Sequence, residues 1–207
     1  MKKTIVLSVV LLLSVNIFAQ TKDYNQFSLE LNYGGSVPIS PSNTDRSEAI
    51  GFSHAKAAMR YMWNKKAGMR GFYAYDRFGS ADAGLSIHRL GSELVLNIDE
   101  LLNFPYYIKE NFGFQTHIGL GLGMAGPRHQ VQNTSNDFIG FLIVGGGPQL
   151  KLSKRFSLYG DLSFNQLFQL NYGYDGAAIS ENSGNYANIS LGLMLYLGRE
   201  RHHADWH

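Results

Sequence analysis

The chain has 207 residues, with 18 Lys and Arg against 16 Asp and Glu, and no cysteine. A net charge of +2 gives no basis for nucleic-acid binding, and the lack of cysteine excludes disulfides, thiolate metal sites, a cysteine nucleophile and a lipid-modified N-terminal cysteine. Glycine at 23, aromatics at 13% and only 5 prolines suit a twisted, closed sheet with aromatic belts better than helices or disorder.

Lys2 and Lys3 precede an apolar run from Ile5 to Leu13, and Phe18-Ala19-Gln20 follows, so residues 1–19 read as a secretory signal peptide cut after Ala19. The run falls short of the roughly 20 residues that a spanning helix needs. Residues 20–198 then form one domain, and 199–207 a short tail.

From Phe27 the chain alternates, with Phe27, Leu29, Leu31 and Tyr33 on one face and Ser28, Glu30, Asn32 and Gly34 on the other, the period of a half-apolar strand. Ser36 to Glu48 is rich in Ser, Pro, Asn and Asp and predicts a polar loop. A second strand, about Phe52 to Trp63, opposes Ala55, Ala57, Met59 and Tyr61 to His54, Lys56 and Arg60, and Asn64-Lys65-Lys66 turns the chain. The third, Ala67 to Arg77, opposes Met69, Tyr73 and Tyr75 to Arg70, Phe72 and Asp76. The fourth, about Ser86 to Ile98, puts Leu90, Leu94, Leu96 and Ile98 outward and Arg89, Glu93 and Asn97 inward.

Asp99 to Asn111 breaks the alternation and reads either as a short helical turn or as an aromatic-rich loop at an interface. In the fifth strand, Phe112 to Met124, inward Gly119, Gly121 and Gly123 leave room for a large neighbouring side chain. Gly126 to Asp137 predicts a polar loop, Phe138 to Leu152 a sixth strand, Ser153-Lys154-Arg155 a turn, Phe156 to Tyr172 a seventh strand, and Asn171 to Asn185 a last long loop. The final strand, Tyr186 to Gly198, carries Ala187, Ile189, Leu191, Leu193, Leu195 and Leu197 on one face and Asn188, Ser190 and Gly192 on the other.

Eight strands of spanning length, with long loops on one side and short turns and both termini on the other, predict an all-β, eight-stranded antiparallel up-and-down transmembrane barrel. Trp63, Tyr61 and Phe156 near one rim, and Tyr73, Tyr75, Phe168 and Tyr172 near the other, are placed as two aromatic girdles. A soluble lipocalin-type barrel would turn the same apolar faces inward. The Gly-, Ser- and Asn-rich polar face, with its balanced charge, favours lipid outside.

An eight-stranded barrel is only wide enough inside to be filled by side chains. Glu30, Lys56, Arg60, Arg70, Asp76, Arg89, Glu93, Lys151 and Asp161, all assigned inward, should therefore meet as an ion-paired network, either as a plug that fixes register or as a gate on a narrow ion path. The histidines, His54, His88, His117, His129, His202, His203 and His207, show no metal-ligand spacing, so no metal and no cofactor is expected. His88, near Ser86 and Ser92, is the one histidine assigned to the lipid side, but no catalytic motif surrounds it, and an enzyme is not expected. Gly119-x-Gly121-x-Gly123 lies within a strand and is not a nucleotide loop.

The last strand resembles the C-terminal assembly signal of bacterial outer-membrane barrels, with Ser190, Gly192, Leu195 and Leu197 in its places. Together with the signal peptide, Asp76-Arg77-Phe78 at the end of the third strand, and Pro148-Gln149-Leu150-Lys151-Leu152-Ser153, it makes the chain resemble the OmpA-like barrels of Bacteroidota. The resemblance implies outer-membrane localisation with the tail 199–207 on the periplasmic side, lipid and lipopolysaccharide as surroundings, the barrel-assembly machinery as a partner during insertion, and possible contact with other outer-membrane proteins. Arg201-His202-His203-Ala204-Asp205-Trp206 resembles the segment that joins barrel to linker in two-domain relatives, whose peptidoglycan-binding Asp and Arg have no counterpart here. The expected function is a structural barrel that supports the envelope or presents loops 36–48, 126–137 and 171–185. A narrow porin or an accessory subunit of a larger outer-membrane complex are the alternatives.

Overall fold

A computed structural model of the chain describes residues 27–40, 51–79, 84–128, 135–180 and 182–197. The expected signal peptide, the tail 199–207, Gly198, and His129, His202, His203 and His207 lie outside the described residues.

Eight strands close into one antiparallel barrel: β1 (Phe27–Ser40), β2 (Gly51–Met62), β3 (Ala67–Arg77), β4 (Leu85–Asn97), β5 (Phe112–Pro127), β6 (Asp137–Lys151), β7 (Phe156–Phe168) and β8 (Ser183–Tyr196). Each strand pairs with its sequence neighbours, and β8 returns to β1 from Tyr196 opposite Ser28 to Asn185 opposite Ser40. Closure leaves no sheet edge, so the backbone groups of the wall bond within it, the condition for crossing a hydrocarbon layer. Between β4 and β5 lie two single helical turns, α1 (Ile98–Leu101) and α2 (Tyr106–Lys109).

Burial decides between the two barrel readings. Leu31, Leu90 and Leu120 are 67%, 69% and 64% exposed, while Glu30, Arg89 and Asp161 on the opposite parity are at most 4% exposed. A water-soluble barrel requires the reverse, so the apolar wall faces lipid and the polar face fills the lumen. The strand glycines make that lumen usable: a Cβ on Gly91 or Gly121 would stand 2.8 or 2.6 Å from the tip of the Phe141 ring. Their bare backbone is the space that Phe141 occupies.

The strands run further towards the long-loop side than composition suggested. Ser36 and Pro38, read as loop, continue β1, and Gly126 and Pro127 continue β5. Ser36 faces inward and donates to the Asp76 carboxylate at 3.0 Å, so its hydroxyl is satisfied inside the barrel. Pro38 pairs with Tyr186 on the β8 side. At the other boundary β7 ends at Phe168, earlier than the predicted Tyr172, because Gln169 takes φ 64° and turns the chain across the mouth. Ile98, predicted as an outward strand residue, opens α1 instead.

Candidate functional site: a filled, ion-paired lumen

The alternation that faces leucines to lipid turns the intervening polar residues inward, and barrel register then sets who meets whom. Across β3 to β6, Phe72, Gly91, Gly121 and Phe141 share one level. The two rings, 5.9 Å apart, separate an upper polar layer near the long loops from a lower one.

The upper layer is built on Asp76. Its Oδ1 takes Ser36 Oγ (3.0 Å) and Asn188 Nδ2 (2.8 Å) and lies 2.7 Å from His54 Nδ1. Its Oδ2 takes Arg89 Nη2 (2.7 Å), Arg89 Nε (3.1 Å) and Tyr186 Oη (2.9 Å). Arg89 also donates through Nη1 to Asn165, whose Nδ2 donates to Asn188 at 2.5 Å. Above this layer Phe78, Tyr174 and Tyr186 pack ring to ring at 4.6 to 6.1 Å, with Leu170 buried beside them. Tyr174 and Leu170 come from the connection between β7 and β8, which therefore folds into the mouth as a plug. Burial holds the Tyr174 phenol above its ordinary value, so the plug is neutral.

The lower layer is a mesh. Arg70 donates from Nε to Glu93 (2.5 Å) and from Nη1 to Glu30 (2.8 Å), Lys56 Nζ reaches Glu93 (2.8 Å), and Arg60 Nε lies 3.3 Å from Glu30. His117 Nε2 stands 2.9 Å from Asp161 and its Nδ1 3.5 Å from Glu93, joining the two carboxylates. Tyr159 and Ser163 also donate to Asp161, at 2.6 and 2.5 Å. Above, Asp76 faces Arg89, and below, Glu30, Glu93 and Asp161 lie among Lys56, Arg60 and Arg70. Each layer thus sets carboxylates against cations, the condition under which buried charge is tolerated.

Eight of the nine expected charges thus lie buried in these layers. Lys151 shares their parity but sits half-buried at the end of β6, where its backbone N–H bonds to Asn111 O, so it belongs to the rim. Sequence reasoning missed the partners His54, His117, Tyr159, Ser163, Asn165, Tyr186 and Asn188. Their inward parity was visible in the chain, but partners such as Asp76 and Asn188, 112 residues apart, become neighbours only through register. Ser190 and Gly192 of the assembly signal are buried on the lumen side, while Leu197 is exposed and Leu195 half-buried on the lipid side.

His88 is exposed on the outer wall, with Nδ1 2.7 Å from Tyr73 Oη and its ring 4.8 Å from Tyr75. Ser86 donates to Gly126 O at 3.2 Å, so the serine and histidine singled out together do not form a hydrogen-bonded pair. Among the described residues no group of His, Asp and Glu is arranged to hold a metal ion.

No family model matches the chain, and no curated protein sequence does either. The fold is that of known outer-membrane barrel proteins. It is similar to neisserial surface protein A, from Neisseria, with 14% identity and a TM-score of 0.61 over 83% of this chain and 97% of that one. It is also similar to the attachment invasion locus protein Ail of Yersinia pestis, crystallised with the heparin analogue sucrose octasulfate, with 16% identity and a TM-score of 0.52 over 83% and 98%.

Proposed function

We propose that this chain is a non-conducting, non-catalytic outer-membrane barrel that holds its β7–β8 connection in place for display and contributes mechanically to the envelope. The observation that carries the reading is the lumen, packed with two ion-paired layers and closed above by Phe78, Tyr174 and Tyr186. A channel needs a continuous wet path, whereas these charges spend their hydrogen bonds on one another.

The display role is supported by how the β7–β8 connection is held. The Asp137 carboxylate accepts from Asn171 N (2.7 Å) and Nδ2 (3.0 Å), Tyr172 Oη donates to Ser135 O (3.0 Å), and Ile179 N bonds to Asn171 O (2.8 Å). A loop tied at both ends presents one surface. Export by the signal peptide 1–19, insertion by the barrel-assembly machinery through Ser190, Gly192, Leu195 and Leu197, residence among lipid and lipopolysaccharide, and kinship with the OmpA-like barrels of Bacteroidota belong to the same reading.

Planar-bilayer recording of the purified barrel tests it, the expected result being no stepwise current. Stable openings that change in Arg60→Ala or Glu93→Ala would replace it with the narrow-porin reading.

A further inference from the structure

The short-turn rim departs from an ordinary up-and-down barrel. Two of its three connections are tight turns, but residues 98–111 form α1, a reversal through Asn103 at φ 52°, and α2. Helices of four residues do not stand alone in water, and these are pinned by Lys109 Nζ to Glu100 at 2.7 Å and by the Phe114 N–H to Asp99 Oδ1 at 3.1 Å. What they hold out is apolar: Leu102, Tyr106 and Tyr107 are 66%, 73% and 75% exposed. The patch runs on into Phe112 and Phe114, exposed on the lipid-facing wall of β5.

A basic turn abuts each end of this segment. Asn97, just before α1, bonds to Lys65 O (2.7 Å) and Lys66 O (2.9 Å), and Asn111, just after α2, accepts from Lys151 N (2.8 Å) beside the Ser153-Lys154-Arg155 turn. Lys65, Lys66, Lys154 and Arg155 pair with no carboxylate among the described residues. Among the described residues the rim thus presents six cations, counting Lys109 and Lys151, against Glu100, Glu110 and the buried Asp99.

The geometry points to a binding collar for anionic phospholipid on the short-turn side: Leu102, Tyr106 and Tyr107 enter the membrane interface, and the flanking Lys65-Lys66 and Lys154-Arg155 turns take lipid phosphates. Two features select a lipid surface as the occupant. The apolar patch is continuous with the lipid-facing wall, and cations flank amphipathic tyrosines as they do at membrane interfaces. The inference rests on the barrel spanning a membrane.

The cysteine-free sequence allows nitroxide labels to be placed singly, at Leu102→Cys, Tyr107→Cys and, as a mid-wall control, Leu120→Cys. In nanodiscs of phosphatidylglycerol and phosphatidylcholine, labels at 102 and 107 should be relaxed by oxygen more than by an aqueous nickel chelate. Mass spectrometry of lipid retained in detergent should show phosphatidylglycerol enriched. Replacing Lys65, Lys66, Lys154 and Arg155 by Gln together should lower that enrichment at least about fivefold, the effect of one cation at an anionic surface. Water-exposed labels at 102 and 107 with a lipid-exposed label at 120 overturn the collar and leave the barrel reading intact. A water-exposed label at 120 overturns both. Labels shielded from both reagents place a protein on the face and overturn the lipid assignment, as does an enrichment that the four substitutions leave unchanged.

Discussion

The two polar layers of the lumen solve one electrostatic problem in different ways. Above the Phe72–Phe141 level a single carboxylate, Asp76, collects one cation and a ring of neutral donors. Below it, three carboxylates and three cations share partners, so that Arg70 serves both Glu30 and Glu93. A hub concentrates the cost of failure, whereas a mesh spreads it. The largest expected effect follows at the hub: Asp76→Ala leaves Arg89 buried without its carboxylate and should cost about 3–5 kcal/mol. In Asp161→Ala the lost partners are His117, Tyr159 and Ser163, while Lys56 and Arg70 keep Glu93 and Arg60 keeps Glu30. Its cost should be nearer about 1–3 kcal/mol. Urea midpoints measured in one detergent check the ranking, and equal losses would mean that the layers are not organised differently.

The next effect tests which layer seals the barrel. Tyr174→Ala removes one ring of the mouth plug and should cost up to about 3 kcal/mol, less than a rigid core site because a loop can settle into the space. The lower mesh is untouched, so the variant should remain closed in bilayer recordings. Stepwise current from Tyr174→Ala alone would place the seal at the mouth and make the β7–β8 connection a gate.

This division between hub and mesh could not be read from the sequence, although the charges that build it could. Period-two alternation is a strong signal because one residue of slip would expose every lumen charge to lipid, so strand number, parity and the inward set from Glu30 to Asp161 were legible. Which carboxylate becomes a hub depends on shear around the closed sheet. Nothing local to Asp76 announces Asn188 on β8 or Ser36 on β1 as its neighbours. The boundaries near the long loops failed for a related reason, since Ser36 looks like a turn former until its hydroxyl has a carboxylate to donate to. Residues 98–111 stayed open because four-residue helices carry no periodicity, and only tertiary bonds such as Phe114 N to Asp99 define them.

Asp99 extends the comparison to a carboxylate outside the lumen, and the smallest effect is expected there. Like Asp76 it is buried, but its Oδ1 is met by the Phe114 backbone N–H and its Oδ2 has no hydrogen-bond partner among the described residues. Burial without a paired cation pushes its carboxyl above the ordinary value. In the pH range just above that ordinary value, about 3.9, the folded chain therefore binds more proton here than the unfolded chain does. Stability from this group is fully present below the range and falls as pH rises through it, the opposite of a salt-bridged carboxylate. Asp99→Asn keeps an acceptor for Phe114 and carries no charge. It should flatten that part of the stability profile and match or exceed the parent at neutral pH, by an amount of order 1 kcal/mol. Urea midpoints of both chains across that range check it. A variant less stable than the parent at neutral pH, with the slope unchanged, would mean that the Asp99 charge is itself paired and that the rim is held like the lumen.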